Sequence, residues 1–575
     1  MSRTKSIAEI FIRLLPLILI VNFFVIIIYY FVQTESKPLQ ESLIIIEPIF
    51  LGVNFSLIII SLLFNLKDLK KILKSIKKFS WIFLLIIFLL GFVLRMFVAP
   101  HTHRVFFDED IYLDIGKQIL TEGKGCLCNY GDHKGCYDCI LMKWPNGYPF
   151  TLAVAYMFFG ISETVAFNLT VLLGSLSIIL IFLIGYLLTK KEEIGLFSAL
   201  LFALIPVHIM WSGTTASEPV FVFYTLLAVF ALSLALKSNT WKSNLFAMSS
   251  LAFACQIKAE SGIILVLTAV LMLFLDKKLR IRINNPKFLV PLIICFVLIT
   301  PYIVHMIHSA QTDPWGAKGK KFGLEYAESN IPINAWFWIM GYPTIEHPIL
   351  FTIFALIGLI FIIIGQKRLA LVLGFWFLMF FFIYAFFYAG SVKYGTDVRY
   401  SLSGYPPLIL LAGFGLYFLY RVLGKVTNMY RVIFLILAAI ILISFYFYLP
   451  SVSTPAEEIM EANQARTYHD FVVHEATKLD KDCYILTHTP SIFLVMDLGS
   501  LQTWYGQNSV KMRELFNKTD CVIFDDNYWC NLEPYKSSVC KHMFDAFELT
   551  LLSSVEVNEG RHTYALYKVS NPYID

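Results

Sequence analysis

The chain has 575 residues, 58% of them hydrophobic and 16% aromatic, with only 15% charged and a mean hydropathy of +0.68. Soluble domains carry about 25% charged residues, so a wholly soluble fold would leave much apolar surface in water. The net charge of +5 comes with no basic stripe and no zinc-finger spacing, which argues against a nucleic-acid partner.

Residues 9–32 form an apolar run too long for the core of a removable signal peptide, with no small-residue cleavage site behind it. They read as a first spanning helix, since about 20 apolar residues cross the hydrocarbon core. Twelve further candidates follow at 43–65, 80–99, 164–189, 194–211, 217–236, 243–257, 261–275, 288–307, 346–365, 368–388, 402–420 and 432–449. The fold class expected is a polytopic α-helical membrane protein of about 13 spans. Basic clusters at Lys67–Lys78, Lys190–Lys191, Lys237–Lys242, Lys277–Lys287, Lys367–Arg368 and Arg421–Arg431 fall in loops of one parity. Lys and Arg stay on the cytoplasmic side, so the N-terminus is expected inside and residues after about 450 outside. Lys318, Lys320 and Lys321 break the pattern in an outer loop, where they would suit something anionic. Long outer stretches remain at about 100–150 and 308–340, and the short apolar segment 149–160 is expected at the interface or re-entrant.

The main chemical feature stands just beyond the third span, in Phe106-Phe107-Asp108-Glu109-Asp110-Ile111-Tyr112. Asp108 could simply cap a helix running through Ile111, Ile115 and Ile119, where acidic residues suit the first turn. A chemical role asks more of it. Acceptor hydroxyls are poor nucleophiles at neutral pH, and a carboxylate within hydrogen-bond reach takes the proton as attack proceeds. Other polar residues fall on the same side. Glu218, in Ala216-Ser217-Glu218-Pro219, opens the sixth span; it is a functional candidate as an ionisable group at a span end, or an ordinary helix start before Pro. Lys258 and Glu260 lie between two short spans and could pair with each other. Arg399-Tyr400 precedes the twelfth span; such residues anchor helices at interfaces, and an Arg there can clamp a phosphate. His101, His103, His305 and His308 read singly as structural or solvated.

Cys126, Cys128, Cys136 and Cys139 sit in the first outer loop with His133 among them, and Cys530 and Cys540 lie near the C-terminus. Outside the cell such cysteines pair as disulfides; the loop spacing also admits zinc. Cys255, Cys295, Cys483 and Cys521 read as packing residues. Residues 451–575 read as a small extracytoplasmic α/β domain. Strands are expected at Tyr484–Thr487 and Cys521–Phe524, helices at 455–479 and 508–517, and a hairpin of 548–556 with 562–569 turning at Asn558–Gly560. No glycine-rich phosphate loop is present. Asn517-Lys518-Thr519 matches a glycosylation acceptor. Three domains result: a two-helix N-terminal addition with its basic loop (1–79), a transmembrane catalytic domain (80–450) and the outer domain (451–575).

These residues resemble, in order and sidedness, the GT-C-fold glycosyltransferases of the protein O-mannosyltransferase and lipid A aminoarabinose transferase kind. The features are the acidic pair Asp108-Glu109, Ser217-Glu218-Pro219, Lys258 after Ala252-Phe253-Ala254, and Arg399-Tyr400 with Tyr405-Pro406-Pro407 and the apolar run Leu408–Leu416. The resemblance spans most of residues 80–575. It implies inverting transfer of a sugar from a polyprenyl-phosphate donor to a protein, lipid or glycan acceptor. Asp108 would be the base or acceptor-binding group, supported by Glu109. Lys258 and Arg399 would hold the lipid phosphate, whose charge grows in the transition state. Asp110, Glu218 and Tyr400 would complete the substrate site. A divalent metal at Asp108, Glu109 or a nearby histidine stays open, without a firm ligand set. The chain departs from the family in the third acid Asp110, the cysteine-rich insertion 126–139, two extra N-terminal spans, and Ser403-Gly404 where Leu-Pro is common. The competing readings are a transporter or flippase of a lipid-linked or anionic substrate, and a non-catalytic envelope assembly protein. Transporters concentrate ionisable and broken helices at the midplane within internal repeats; here the charges gather at one face and no repeat is seen.

Overall fold

A computed structural model describes residues 37–102, 108–276, 285–312, 321–341, 347–453, 457–532, 534–557 and 562–573. The first expected span (9–32), Phe106, Phe107, His103, Lys277, Lys278, Arg280, Arg282, Lys318, Lys320 and the turn Asn558–Gly560 lie outside the described residues. Each of the other twelve expected spans is largely helical. Eight helices are long and apolar enough to cross a membrane: Lys37–Lys74, Lys78–Val98, Glu163–Thr189, Ser217–Ser238, Pro286–Ser309, Lys367–Ala385, Tyr405–Thr427 and Tyr430–Pro450. The remaining expected segments are shorter or broken. Trp241–Ala254, Ala259–Leu275 and Ile349–Gly365 fall below 18 residues, and Glu192–Ala203 with Pro206–Ser212 form a pair bent by 61°.

Burial sorts the spans. Glu163–Thr189 and Ser217–Ser238 are 72% and 78% buried and form the centre, whereas Lys78–Val98 and Tyr430–Pro450 are 28% buried and present their apolar sides outward. Lipid supplies no hydrophobic drive between helices, so close backbone approach does the packing. Gly358 and Gly415 allow it between Ile349–Gly365 and Tyr405–Thr427: a Cβ on either would strike a backbone carbonyl, of Leu411 or of Phe354.

The bent pair shows how a polar group is satisfied inside the bundle. Pro206 opens a new helix and has no N–H to donate to the Phe202 carbonyl four residues back, and the carbonyls of Phe202 and Ala203 both lie at the break. The fully buried Arg95 donates to both, at 3.3 and 3.1 Å, and sits 3.1 Å from Nδ1 of His208. A second buried network ties Lys37–Lys74 to the bundle: Glu47 accepts from Asn146 at 2.8 Å and lies 2.7 Å from Nδ1 of His305, whose Nε2 meets the Met142 carbonyl at 2.6 Å.

The stretch 100–150 holds more structure than a loop. An acidic helix, Asp108–Glu122, is followed by strands β1 (Leu127–Asp132) and β2 (Gly135–Ile140), then by Gly147–Phe159, which leaves Met157, Phe158 and Phe159 exposed as an interfacial helix does. The second stretch contains the helix Leu324–Met340. Beyond 453 come the helix Glu457–Ala476 and strands β3 (Tyr484–Thr487), β4 (Gly499–Gln502), β5 (Val522–Asp526), β6 (Leu549–Val557) and β7 (His562–Val569). All seven strands join one sheet, in the order β2-β1-β4-β3-β5-β7-β6. β3 runs parallel to β4 and β5, and the other pairs are antiparallel. The sheet is therefore shared, because the β1–β2 hairpin of the 100–150 stretch extends the C-terminal domain.

The hairpin's four cysteines form Cys126–Cys139 and Cys128–Cys136 disulfides, and Cys530 pairs with Cys540. Cys483 and Cys521 were expected as packing residues; they form a fourth disulfide joining the starts of β3 and β5. Cys255 and Cys295 are buried and unbridged.

At the end of β5 the buried Asp525 accepts hydrogen bonds from Tyr468 (2.6 Å), Thr487 (2.7 Å) and Asn527 (2.8 Å). Burial outweighs them and pushes its carboxyl up to about 6. A raised folded-state value binds a proton more tightly than the unfolded chain does. The resulting stabilisation is full below pH ~4 and is lost as pH rises through ~6, a change of about 3 kcal/mol. Thermal unfolding of wild type and Asp525→Asn across pH 4–7 should therefore give diverging curves, with wild type losing more stability as pH rises; parallel curves would refute the assignment.

Candidate functional site

The acidic helix is fixed from below by its own sequence. Asp114 is fully buried and accepts from Gln118 (3.0 Å) and from the Cys128 amide (2.9 Å), which attaches β1 to the helix. Burial pushes its carboxyl up to about 6, against those hydrogen bonds. Lys117 reaches into the C-terminal domain, donating to the Leu494 carbonyl and to Asp497 at 2.6 Å. Asp132 accepts from Tyr137 (2.9 Å) and from Tyr484, and Tyr505 donates to Asp138 at 2.8 Å. The C-terminal domain thus grips the helix and its hairpin together.

At the helix's N-terminal end, Asp108 faces a cavity of about 500 Å³. Glu218, Lys258, Glu260, Tyr384, Arg399 and Tyr400 also line it. Five segments far apart in the chain meet here. Glu218 is carried in by the first turn of Ser217–Ser238, ahead of Pro219. Lys258 and Glu260 sit at the break between the two short helices, where Tyr302 donates to the carbonyls of Lys258 and Ala259 at 3.1 Å. Arg399 and Tyr400 lie in a 3-10 stretch, Val392–Ser403, that leads into Tyr405–Thr427.

The charges interlock. Glu218 lies 3.0 Å from the Lys258 ammonium and 3.2 Å from Nε of Arg399. Glu260 lies 2.6 Å from Lys258 and accepts from Tyr384 at 2.7 Å. Arg399 also faces Asp108 at 3.6 Å and Glu109 at 3.7 Å, ion-pair contacts longer than a hydrogen bond. Tyr400 stacks on Tyr384, with centroids 4.8 Å apart, and both cations lie over its ring, Lys258 at 5.0 Å and Arg399 at 5.3 Å. Burial works to strip the proton from Lys258, yet Glu218 and Glu260 prevail and hold its pKa well above the ordinary lysine value. Arg399 follows the same pattern, with Glu218 the largest opposing influence. Both side chains are firmly cationic.

Every predicted site residue but one falls in this cluster. Glu109 lies beneath the cavity, its side chain fully buried against Arg399. Asp110 is the exception and faces away. Sequence reading paired Lys258 with Glu260, and the structure has that pair. It missed Tyr384, which sits inside a hydrophobic span, and Lys143, which lines the cavity together with Lys321 of the anomalous basic run. Tyr384 carried no sequence signal. Lys143 did, as a cation at the end of the acidic 100–150 stretch. His305 and His101 are engaged elsewhere, with Glu47 and beside Phe167. Asn517 is exposed on the C-terminal domain.

Two cations, Lys258 and Arg399, thus stand among four carboxylates: Asp108, Glu109, Glu218 and Glu260. Lys143 and Lys321 add two further cations to the lining. Among the described residues, three ligand groups close enough for a metal occur only at His488, Cys530 and Cys540, where the two cysteines are already a disulfide.

A family model described as dolichyl-phosphate-mannose-protein mannosyltransferase matches residues 143–305. Among solved structures the chain resembles ArnT from Cupriavidus metallidurans in the apo state, with a TM-score of 0.54 at 14% identity, covering 85% of this chain and 97% of that one. The same protein bound to undecaprenyl phosphate gives 0.52 at 15% identity, covering 85% and 98%. The archaeal oligosaccharyltransferase AglB from Archaeoglobus fulgidus, in complex with an inhibitory peptide and a dolichol-phosphate, gives 0.50 at 12% identity, covering 87% and 75%. No curated protein matches the chain in sequence. The fold is that of the GT-C glycosyltransferases, in a multi-pass membrane protein.

Proposed function

We propose that this GT-C-fold membrane protein is a glycosyltransferase that takes a sugar from a polyprenyl-phosphate carrier and passes it to an acceptor at the outer face. The observation that carries the reading is the cavity of about 500 Å³ in which Asp108 and Glu218 oppose Arg399 and Lys258, with Lys143 and Lys321 also lining it. The matched mannosyltransferase model and the relatives solved with undecaprenyl phosphate and dolichol-phosphate support the same substrate class.

The reaction is a single displacement. An acceptor oxygen attacks the anomeric carbon, and Asp108 accepts the acceptor's proton as the new bond forms. The bond from the anomeric carbon to the phosphate oxygen breaks, and the polyprenyl phosphate departs with the electron pair. Its extra charge develops beside fixed cations that need no reorganisation to receive it. Attack opposite the leaving group inverts the anomeric configuration. The sugar could be a hexose or a pentose. In this reading the N-terminus is cytoplasmic and the C-terminal domain lies outside, with residues 80–450 as the catalytic membrane domain, preceded by the two-helix addition 1–79.

Lys143 and Lys321 give the reading a direct test. Binding of undecaprenyl phosphate to the purified protein should weaken at least tenfold, about 1.4 kcal/mol or more, in the Lys143→Met/Lys321→Met double variant. Equal affinity in both proteins would remove the phosphate from these two lysines.

A further inference from the structure

A carboxylate inside a membrane bundle is costly unless it is paired. Glu47 stands in the span Lys37–Lys74, ahead of the residues 143–305 that the mannosyltransferase model matches. It is buried, as is its partner His305. The remaining contacts of the pair converge on one short strap, residues 142–146. Nε2 of His305 meets the Met142 carbonyl, which also accepts from Ser309 at 3.3 Å. Asn146 donates to Glu47 at 2.8 Å and to the Gly125 carbonyl at 3.3 Å, and the Gly125 amide donates in turn to the Ile44 carbonyl of Lys37–Lys74 at 2.8 Å. Between these two pinned ends the strap brings Lys143, Trp144 and Pro145 to the lining of the cavity of about 500 Å³.

The hydrogen bonding makes Glu47 the keystone of this arrangement. A carbonyl only accepts, so Nε2 of His305 carries a proton toward Met142. Nδ1 lies 2.7 Å from a Glu47 oxygen, and one more proton is held between the two. That same oxygen takes the Asn146 amide. Without the carboxylate, Nδ1 and Asn146 both lose a partner, and nothing fixes the ring that holds Met142. Tyr302 sits one turn earlier on the helix of His305 and donates to the carbonyls of Lys258 and Ala259 at 3.1 Å. One side of that helix thus pins the segments bearing two of the cavity's cations, Lys258 and Lys143.

We propose that Glu47 and His305 are positioning residues for the donor phosphate, which hold Lys143 in its place in the cavity and themselves touch no substrate. The proposal rests on the transferase reading above, in which Lys143 meets the lipid phosphate. The helix Lys37–Lys74 is then a structural part of the donor site.

The purified full chain is titrated with undecaprenyl phosphate as wild type, Glu47→Leu, Lys143→Met and the double variant. Leucine fills the space of the carboxylate without stranding a charge. Glu47→Leu should weaken binding at least ~3-fold, no more than Lys143→Met does, and less than ~1.5-fold further when Lys143 is already Met, because residues acting through one contact are not additive. Glu47→Gln is nearly isosteric and serves where leucine does not fold. A neutral amide beside a neutral imidazole satisfies only two of the three hydrogen bonds among residues 47, 142, 146 and 305, so its loss should fall between. In transfer, donor KM should rise with kcat within ~2-fold, a split that loss of folded protein would not give. Wild-type affinity in both Glu47 variants overturns the proposal. A Glu47 effect that multiplies with that of Lys143→Met places it on the fold at large and overturns it too. Wild-type affinity in Lys143→Met removes the contact through which the pair acts, with the same result. If wild type binds no undecaprenyl phosphate, the transferase reading itself has failed.

Discussion

Arg399→Gln should cost both stability and transfer. The guanidinium is nearly buried, with a side chain 8% exposed, and three carboxylates lie within 3.2–3.7 Å of it. Glutamine cannot balance their charge. Removing one partner from a buried ionic cluster costs about 3–5 kcal/mol. Arg399→Lys should recover part of the stability, because a compact ammonium can meet one carboxylate but not span three. Thermal unfolding of the purified protein checks this. A Gln variant as stable as wild type would mean that the interlocked charges do not hold the cavity in shape.

Asp108→Asn should do the reverse, leaving the fold and donor binding nearly intact while removing turnover. The side chain is 32% exposed and its ion pair with Arg399 is long, at 3.6 Å, while Glu218 lies 3.2 Å from the same guanidinium, so the amide leaves Arg399 paired. It cannot take the acceptor's proton, and a loss of about 10²–10⁴ in kcat is expected for a missing general base. Glu109 cannot stand in for it, since its buried carboxylate lies beneath the cavity against Arg399. The loss should appear in kcat, with KM for the donor little changed.

The sequence carried much of this. Long apolar runs at span length, interrupted by basic clusters of one parity, made the bundle legible, because crossing a bilayer imposes a length and a composition that few other structures share. Asp108, Glu218, Lys258 and Arg399 stood out since an ionisable group at a span end is costly unless used or paired. Their convergence was not legible. Nothing local shows that residues 108, 218, 258 and 399 meet, and Tyr384 lies in a run of phenylalanines that gives its hydroxyl no distinguishing context.

The C-terminal domain divides in the same way. β3, β5 and the β6–β7 pair follow from their apolar runs. β4 did not, because Gly499-Ser500-Leu501-Gln502 is short and has almost no strand signature. β1 and β2 are rich in Gly, Asp and Cys, and they become strands because two disulfides and the edge of β4 hold them there. The Cys483–Cys521 bridge was missed because two cysteines at strand starts look like core residues until the strands are known to be parallel neighbours. Lys117 carries no signal in the sequence, yet it ties the acidic helix to Asp497 in the other domain.

The measurement that bears most directly on the account is transfer itself. Membranes containing wild type or Asp108→Asn are supplied with radiolabelled polyprenyl-phosphate hexose, and the label is followed into protein, lipid and glycan fractions. The account predicts label in one acceptor fraction with wild type and almost none with the variant, at equal protein levels and equal lipid-phosphate binding. Equal transfer by both proteins, or none by wild type across several donor sugars, would contradict it.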